Sequence, residues 1–341
     1  MQFLRRFRKL VLFLAGSALL YAQAGTSSIT GAVTDATSSA IPNAEIVLVN
    51  EESGARFVTR TNESGSYRLS SLLPATYRIE ATAAGFEKSS RGGLVLAVSQ
   101  VLPVDLTLQV GQASETVTVT ETVPVTETQS SSVGQLVNRK MVSGLPMPNR
   151  AATSLVALAP GVVMIDTGQG AENYPVFSVA GGRARNQNFT LDGGNVTNAV
   201  GLTRPQQMTS LPMDAMQEFR VIGNAYSAEY GHSTGGIIAL STRSGTNGLH
   251  GSIFEFARNA ALDARNFFAA NTPPLNLHQF GGSLGGPIIK DKTHFFASWE
   301  ETRETFGSAT ILTVPTLAQR RGDFSTTRSI IYDPATLAGG K

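Results

Sequence analysis

In TYRIEATA, residues 76–83, Tyr77, Ile79 and Ala81 alternate with Arg78, Glu80 and Thr82. A period of two marks a strand with one buried and one wet face, because successive strand side chains point to opposite sides. Similar short runs, rich in Thr, Ser and Val and separated by Gly, Pro and Asn turn signals, recur along the chain. With 34 glycines and only 15% charged residues, the sequence excludes a soluble helical bundle and predicts a mainly β protein. No run after Ala24 is long and apolar enough for a transmembrane helix. Transmembrane β-strands need only about 10 residues with one apolar face, so a membrane barrel stays open.

The N-terminus reads as an address label. Arg5, Arg6, Arg8 and Lys9 precede the apolar run Leu10 to Leu20, and Ala22-Gln23-Ala24 follows. A basic region, a short apolar core and an A-x-A site make a secretory signal peptide over residues 1–24, cleaved after Ala24. Four of the 27 basic residues lie in this leader and none of the 25 acidic ones, so the remainder carries 23 against 25, a net of −2. The apparent basicity gives no support to nucleic-acid binding. Cysteine is absent, so no disulfide framework or thiolate chemistry is available, and a bacterial envelope fits best.

Residues 25–110 predict a β-sandwich with strands SITGAVTD, AEIVLVNE, ARFVTRTN, SYRLSSL, TYRIEATA and VLPVDLTLQV. The segment carries Gly31-x-Val33-x-Asp35, Ile41-Pro42-Asn43-Ala44, Thr61-x-x-x-Gly65-x-Tyr67 and Leu73-Pro74-x-x-Tyr77. On these residues it resembles the carboxypeptidase regulatory-like domain, of transthyretin- or Cna-B-like fold, which by itself implies no catalysis. Ala75 stands where that family usually has glycine, an exchange expected to strain the turn by at most about 1 kcal/mol.

Residues 111–128, GQASETVTVTETVPVTET, hold no aromatic residue to anchor a core. They read equally as a last strand plus linker or as an extended docking segment, centred on Glu115, Thr116, Val117, Thr118, Val119 and Thr120. Alternating β-formers present a backbone edge that a partner can pair with. The segment resembles the one that TonB-dependent receptors offer to TonB.

Within residues 129–247, VFSVAGGRARNQNFTLDGGN (176–195) poses a choice. Gly181 and Gly182 beside Arg183 suggest a phosphate cradle; Asp192 with Gly193 suggests a plain hairpin bend. G-x-x-x-x-G-K-[ST] is absent, and Leu191-Asp192-Gly193 has the composition of a two-residue hairpin turn, so the bend is the better reading. Two short helical patterns around a Pro-rich turn precede this stretch. Leu145-Pro146, Asn149-Arg150, Pro160-Gly161, Gly181-Gly182-Arg183, Leu191-Asp192-Gly193, Gln217-Glu218-Phe219, Ala228-Glu229-Tyr230-Gly231, Gly235-Gly236 and Ser244-Gly245-Thr246-Asn247 follow one another. In that order they resemble the plug domain of TonB-dependent outer-membrane receptors, especially the Oar-like group. Arg183 is expected on the plug surface or facing the barrel wall.

Residues 248–341 read as the start of an outer-membrane barrel. Phe254 and Phe256 share a face opposite Glu255; Phe295, Ala297 and Trp299 oppose His294, Ser298 and Glu300. That is an apolar-out, polar-in alternation, with Trp299 a candidate for the interfacial girdle. ALDARNFFA, FGGSLGGPI, KDKTHFF and RRGDFS resemble the first barrel segment of Oar-like proteins. The 94 residues after Asn247 supply roughly four to six strands. Plugged transporters close with about 22. The expectation is therefore an N-terminal fragment of a longer receptor.

Enzyme signals are weak. Gly281-Gly282-Ser283-Leu284-Gly285 spells G-x-S-x-G, but no helix pattern follows it. The four histidines have no metal-ligand spacing. The fold class is thus a β-sandwich, an α+β plug and the first strands of a barrel. The resemblance implies an outer-membrane transporter with no catalytic residue, metal or cofactor. Its partners would be TonB, a transported ligand of unidentified kind and outer-membrane lipid, with no nucleic acid. The N-terminal domain would sit in the periplasm of a Gram-negative bacterium. The alternative is an envelope adhesion or assembly protein that binds through its sandwich.

Overall fold

A computed structural model describes residues 27–111, 116–119, 132–145, 147, 150, 152–166, 176–184, 186–197, 211–224, 227–231, 233–265, 271–307 and 314–325. The leader with Ala22 and Ala24, and also Glu115 and Thr120, lie outside the described residues. The chain divides into two compact units, Met1–Phe256 with Gln279–Thr302, and Ala257–His278 with Arg303–Lys341.

The sandwich is built from β1 (Ser27–Asp35), β2 (Glu45–Asn50), β3 (Arg56–Arg60), β4 (Ser66–Leu72), β5 (Ala75–Thr82), β6 (Lys88–Leu96), β7 (Val101–Pro103), β8 (Leu106–Leu108) and β9 (Thr116–Val119). One sheet runs β4-β1-β7 with β8 also on β1; the other runs β3-β2-β5-β6-β9. The alternation of β5 holds, since Tyr77, Ile79 and Ala81 are buried with Ile29, Val33, Ile46, Leu48, Leu96 and Leu102. Phe57 meets the Tyr77 ring edge-on at 6.5 Å.

Each motif residue has a structural task. The buried Thr61 hydroxyl accepts from the Ala44 N–H and donates to the Ile41 carbonyl, both at 2.8 Å, which pins the Ile41–Ala44 turn. Asp35 accepts from the N–H groups of Thr37 and Ser39, and Asn62 from those of Ser64 and Ser66. The Tyr67 hydroxyl donates to the Val104 carbonyl at 2.6 Å, and that of Tyr77 to the Leu73 carbonyl at 2.8 Å. Burial pushes the Tyr77 phenol up to about 12.

Three expectations change. The run from Val101 to Val110 is two strands: the Val104 N–H donates to the Thr30 carbonyl, and Asp105 turns its carboxylate onto the Ala32 N–H. Strand β6 was not expected, because Gly92-Gly93 interrupts its pattern; the pair coincides with a register shift against β5. Ala75 begins β5 without positive φ, so no strain arises there.

The second body of the first unit holds β10 (Val133–Val137), α1 (Arg139–Gly144), β11 (Val162–Asp166), β12 (Val176–Val179), β13 (Gln187–Leu191), β14 (Gly194–Asn195), β15 (Met216–Asn224) and β16 (Gly236–Thr242). Its sheet runs β10-β15-β16-β13-β14, with β11 and β12 a separate hairpin. Of the two helical patterns, the first is α1, capped by Asn138, whereas Ala152–Leu158 is a 3-10 helix. Phe177, Phe189, Phe219, Val221, Ile238 and Leu240 form the core. A last sheet, β17 (His250–Asn259), β18 (Leu275–Ile289) and β19 (Thr293–Phe306), runs in sequence order. Within the second unit, the Gly307 N–H donates to the Pro274 carbonyl at 2.8 Å, and α2 (Leu317–Arg320) starts on a Thr316/Gln319 capping box.

A side chain at Gly31 would place its first carbon 1.8 Å from the Val104 carbonyl oxygen, just past the end of the β1–β7 ladder, where the chain passes on to β8. Gly31→Ala is expected to destabilise the sandwich by about 1–3 kcal/mol. Urea unfolding should show a lower midpoint with an unchanged slope; an unmoved midpoint would mean that these strands can part without cost.

Candidate functional site

The two glycine-rich turns of 176–195 lie at the two ends of β13, the first joining it to β12 of the separate hairpin and the second to β14. Asp192 (φ 48) and Gly193 (φ 85) occupy the bend between β13 and β14, both left-handed, as a two-residue hairpin turn requires. Asp192 also braces the sheet: its carboxylate accepts from the Thr242 N–H at 2.9 Å and from the Thr242 hydroxyl at 2.7 Å. This ties the bend to the end of β16 and occupies both carboxylate oxygens within the fold.

Gly182 closes the other turn. A side chain there would lie 2.4 Å from Gly235 Cα, so the two glycine pairs exist because their backbones touch. The Ser178 hydroxyl donates to the Gly182 carbonyl at 2.5 Å, and the Asn186 carbonyl accepts from the N–H groups of Thr234 and Gly235. Gly181, Gly182, Leu191, Asp192 and Gly193 therefore shape the plug sheet, and Arg183 flanks the first turn. No ligand is needed to explain them.

Arg150 is the residue that sequence reasoning undervalued. In the sequence it stands within Asn149-Arg150, a pair whose local pattern points to no partner. Its guanidinium lies 4.3 Å from the Phe254 ring centroid and 4.2 Å from that of Phe256. The carboxylates of Asp214 and Glu300 stand 4.0 and 3.9 Å away, at charge-contact rather than hydrogen-bond distance. Asp214 is also near Arg139, at 3.8 Å, and accepts from the Ser252 hydroxyl. Phe254 and Phe256 do share a face, but it is the face turned to the plug, which corrects their expected apolar-out placement. The physical reason is the cation: a guanidinium on the inner side of β17 draws both ring faces to it, so the alternation holds with its sides exchanged. Ile253, 94% exposed, takes the outward side of β17 instead. On β19 the expected sides hold, with Trp299 exposed and Glu300 and His294 turned inward.

Two further contacts join the sandwich to this body. Glu218 accepts from the Val98 N–H at 2.5 Å, and Arg220 donates to the Ser99 carbonyl at 3.1 Å. Burial raises the Glu218 carboxyl pKa, against the opposing effects of the Val98 hydrogen bond and the Arg220 charge. At the other contact the Asn247 N–H donates to the Glu52 carbonyl at 2.9 Å, while its side chain holds the Asp291 turn and His294.

Gly281–Gly285 lies in the middle of β18, where Ser283 faces the Ser252 hydroxyl at 2.9 Å; the strand-to-helix turn of a nucleophile elbow is not formed there. Among the described residues no group of three or more His, Asp or Glu gathers to hold a metal.

A sheet-filled plug clasped by the first amphipathic strands of a membrane sheet, with a sandwich ahead of it, defines a plugged outer-membrane barrel protein. Comparison with known proteins agrees. Residues 28–109 match the carboxypeptidase regulatory-like domain, 114–237 the TonB-dependent receptor plug domain and 241–340 an outer membrane beta barrel domain. The TonB-dependent transporter Oar of Myxococcus xanthus is 28% identical over 304 residues, 82% of this chain and 27% of that protein. The chain thus spans about a quarter of the length of that curated relative. Among solved structures, the siderophore receptor PirA from Acinetobacter baumannii overlaps 50% of this chain and 24% of its own, with 18% identity and a TM-score of 0.39. The ferric enterobactin receptor PfeA from Pseudomonas aeruginosa overlaps 47% and 23%, with 16% identity and a TM-score of 0.35. Overlaps this low carry no weight on fold or ligand. The chain carries the regulatory-like, plug and barrel domains of a TonB-dependent outer-membrane receptor, in that order.

Arg150→Ala is expected to cost about 2 kcal/mol through the lost ring contacts. Arg150→Lys should restore little of it, because the planar guanidinium is what stacks. A drop in the thermal midpoint for both variants, with faster proteolysis between residues 242 and 256, is the expected readout. Because the folded-state carboxyl pKa of Glu218 is raised above its ordinary value of 4.5, its effect on stability is most favourable at low pH and is lost as pH rises through the raised pKa. Glu218→Gln keeps an acceptor for Val98 and removes the charge. The variant's thermal midpoint should change less between pH 4 and 8 than that of the unsubstituted protein; equal profiles would assign the pH dependence elsewhere.

Proposed function

We propose that this chain supplies the periplasmic, docking and gating parts of a TonB-dependent transporter. Its regions are those of the sequence reading: leader 1–24, sandwich 25–110, connector 111–128, plug 129–247 and barrel start 248–341. The plug closes the pore, and a ligand arriving from outside changes how the connector is presented. TonB then pairs with residues 115–120 and pulls the plug aside. Energy arrives mechanically through the partner, so no catalytic group, metal or nucleotide is used.

The observation that carries this reading is the Arg150 clasp. It attaches the plug to β17 and β19 through ring contacts at 4.2 and 4.3 Å and a charge contact at 3.9 Å, with no close bidentate pair, the kind of attachment a releasable gate calls for. Outward Ile253, Leu284 and Trp299 give β17–β19 an apolar side suited to outer-membrane lipid. The periplasmic placement of the sandwich is supported by Asn247, which joins Glu52 to the tight Asp291 turn. Short turns mark the periplasmic end of such barrels.

Deleting residues 113–122 from the full-length receptor is expected to abolish energised uptake while leaving ligand binding at the cell surface unchanged. Uptake that survives the deletion would move the docking segment elsewhere in the chain.

A further inference from the structure

The candidate docking segment is already paired. Thr116–Val119 forms the last strand of the larger sandwich sheet, parallel to β6, with Lys88 opposite Thr116, Ser89 opposite Val117, Ser90 opposite Thr118 and Arg91 opposite Val119. A few residues earlier the chain touches this part of the sandwich as well. Phe86 and Val110 form an antiparallel bridge. The Glu87 N–H donates to the Gln109 carbonyl at 2.8 Å and the Gly111 N–H to the Gly85 carbonyl at 3.3 Å. Residues 85–91 of the regulatory-like domain therefore hold both the approach to the segment and its middle.

This pairing bears on strand addition, which uses a segment's own backbone N–H and C=O groups as the binding surface. Groups spent on β6 are withheld from a partner. The pairing is also short, only four residues, and parallel ladders are slightly weaker per residue than antiparallel ones. The protection is reciprocal: β9 covers the β6 edge, which would otherwise be an open template for unwanted pairing. A short strand that closes an edge and can also leave it is a two-state element, and a ligand selective for one state shifts the balance.

We infer that the regulatory-like domain is a cover for the docking segment, holding Thr116–Val119 on β6 at rest, and that TonB engages the segment after it peels from that edge. The inference rests on the reading of residues 115–120 as the docking segment. Binding to a protein whose competent state is a minor fraction weakens in proportion to that fraction. Locking β9 down therefore has a directly measurable consequence.

Residues 1–341 hold no cysteine, so an engineered pair meets no competing thiol within this part of the receptor. Neighbouring strands lie about 4.8 Å apart, within the Cα separation that a disulfide spans. Ser90→Cys with Thr118→Cys, and separately Ser89→Cys with Val117→Cys, would be made in the full-length receptor. Binding of the purified periplasmic domain of TonB is then measured before and after dithiothreitol. The expected result is at least a tenfold weaker binding in the oxidised form of a bonded pair, restored on reduction. Equal binding in both forms would overturn the cover, since TonB would then be pairing with the segment in place. Failure of both pairs to oxidise would overturn it as well, because the strands would not be neighbours at rest. A receptor lacking residues 115–120 separates the two readings. If it still binds, the docking assignment falls and the cover with it; if it does not bind while the oxidised receptor does, the docking segment stands and only the cover fails.

Discussion

A strand is stable only when the hydrogen-bonding groups along its edges find partners, and this constraint runs through every part of the molecule. In the sandwich, β6 is closed by β9, and β1 is paired along one side by β7 and then β8. The switch between those two strands takes place at Val104-Asp105. Val104 completes one ladder through its N–H while its carbonyl receives the Tyr67 hydroxyl, and the Asp105 carboxylate meets the Ala32 N–H. Asp192 does the same for the plug sheet, where its side chain takes the N–H and hydroxyl of Thr242 at the end of β16.

The same need explains why the glycine pairs are placed where they are. Gly182 and Gly235 allow two backbones to approach more closely than any side chain would permit, and this brings Asn186 within reach of the N–H groups of Thr234 and Gly235. What resembles a phosphate cradle in the sequence is filled by the protein's own main chain. The motif thus belongs to the shape of the plug, while charge acts elsewhere, at Arg150.

Arg150 combines two functions that pull in opposite directions. A largely buried guanidinium is costly unless its charge is met, and here two ring faces and two carboxylates share that task. None of these contacts is a tight bidentate pair. Several moderate contacts, rather than one deep ion pair, hold the plug to β17 and β19. The Glu218 and Asn247 contacts extend the attachment to the sandwich.

Much of this was legible from the sequence because the determining forces are local. Alternation in β5, the Asp-Gly bend and the turn residues of the sandwich depend on neighbours within a few positions, so the β class, strands β1–β5 and the hairpin at Asp192 could be read directly. The order of motifs carried the resemblance to a plugged receptor. The fates of Phe254, Phe256 and β6 were settled only by the tertiary structure. Alternation shows that two phenylalanines share a face, but which face is inner depends on a cation about a hundred residues earlier in the chain. Gly92-Gly93 disguises β6, whose stability comes from β5 on one side and β9 on the other. Likewise, β-forming composition shows that Thr116–Val119 is extended, but only long-range backbone pairing decides that its partner at rest is the sandwich.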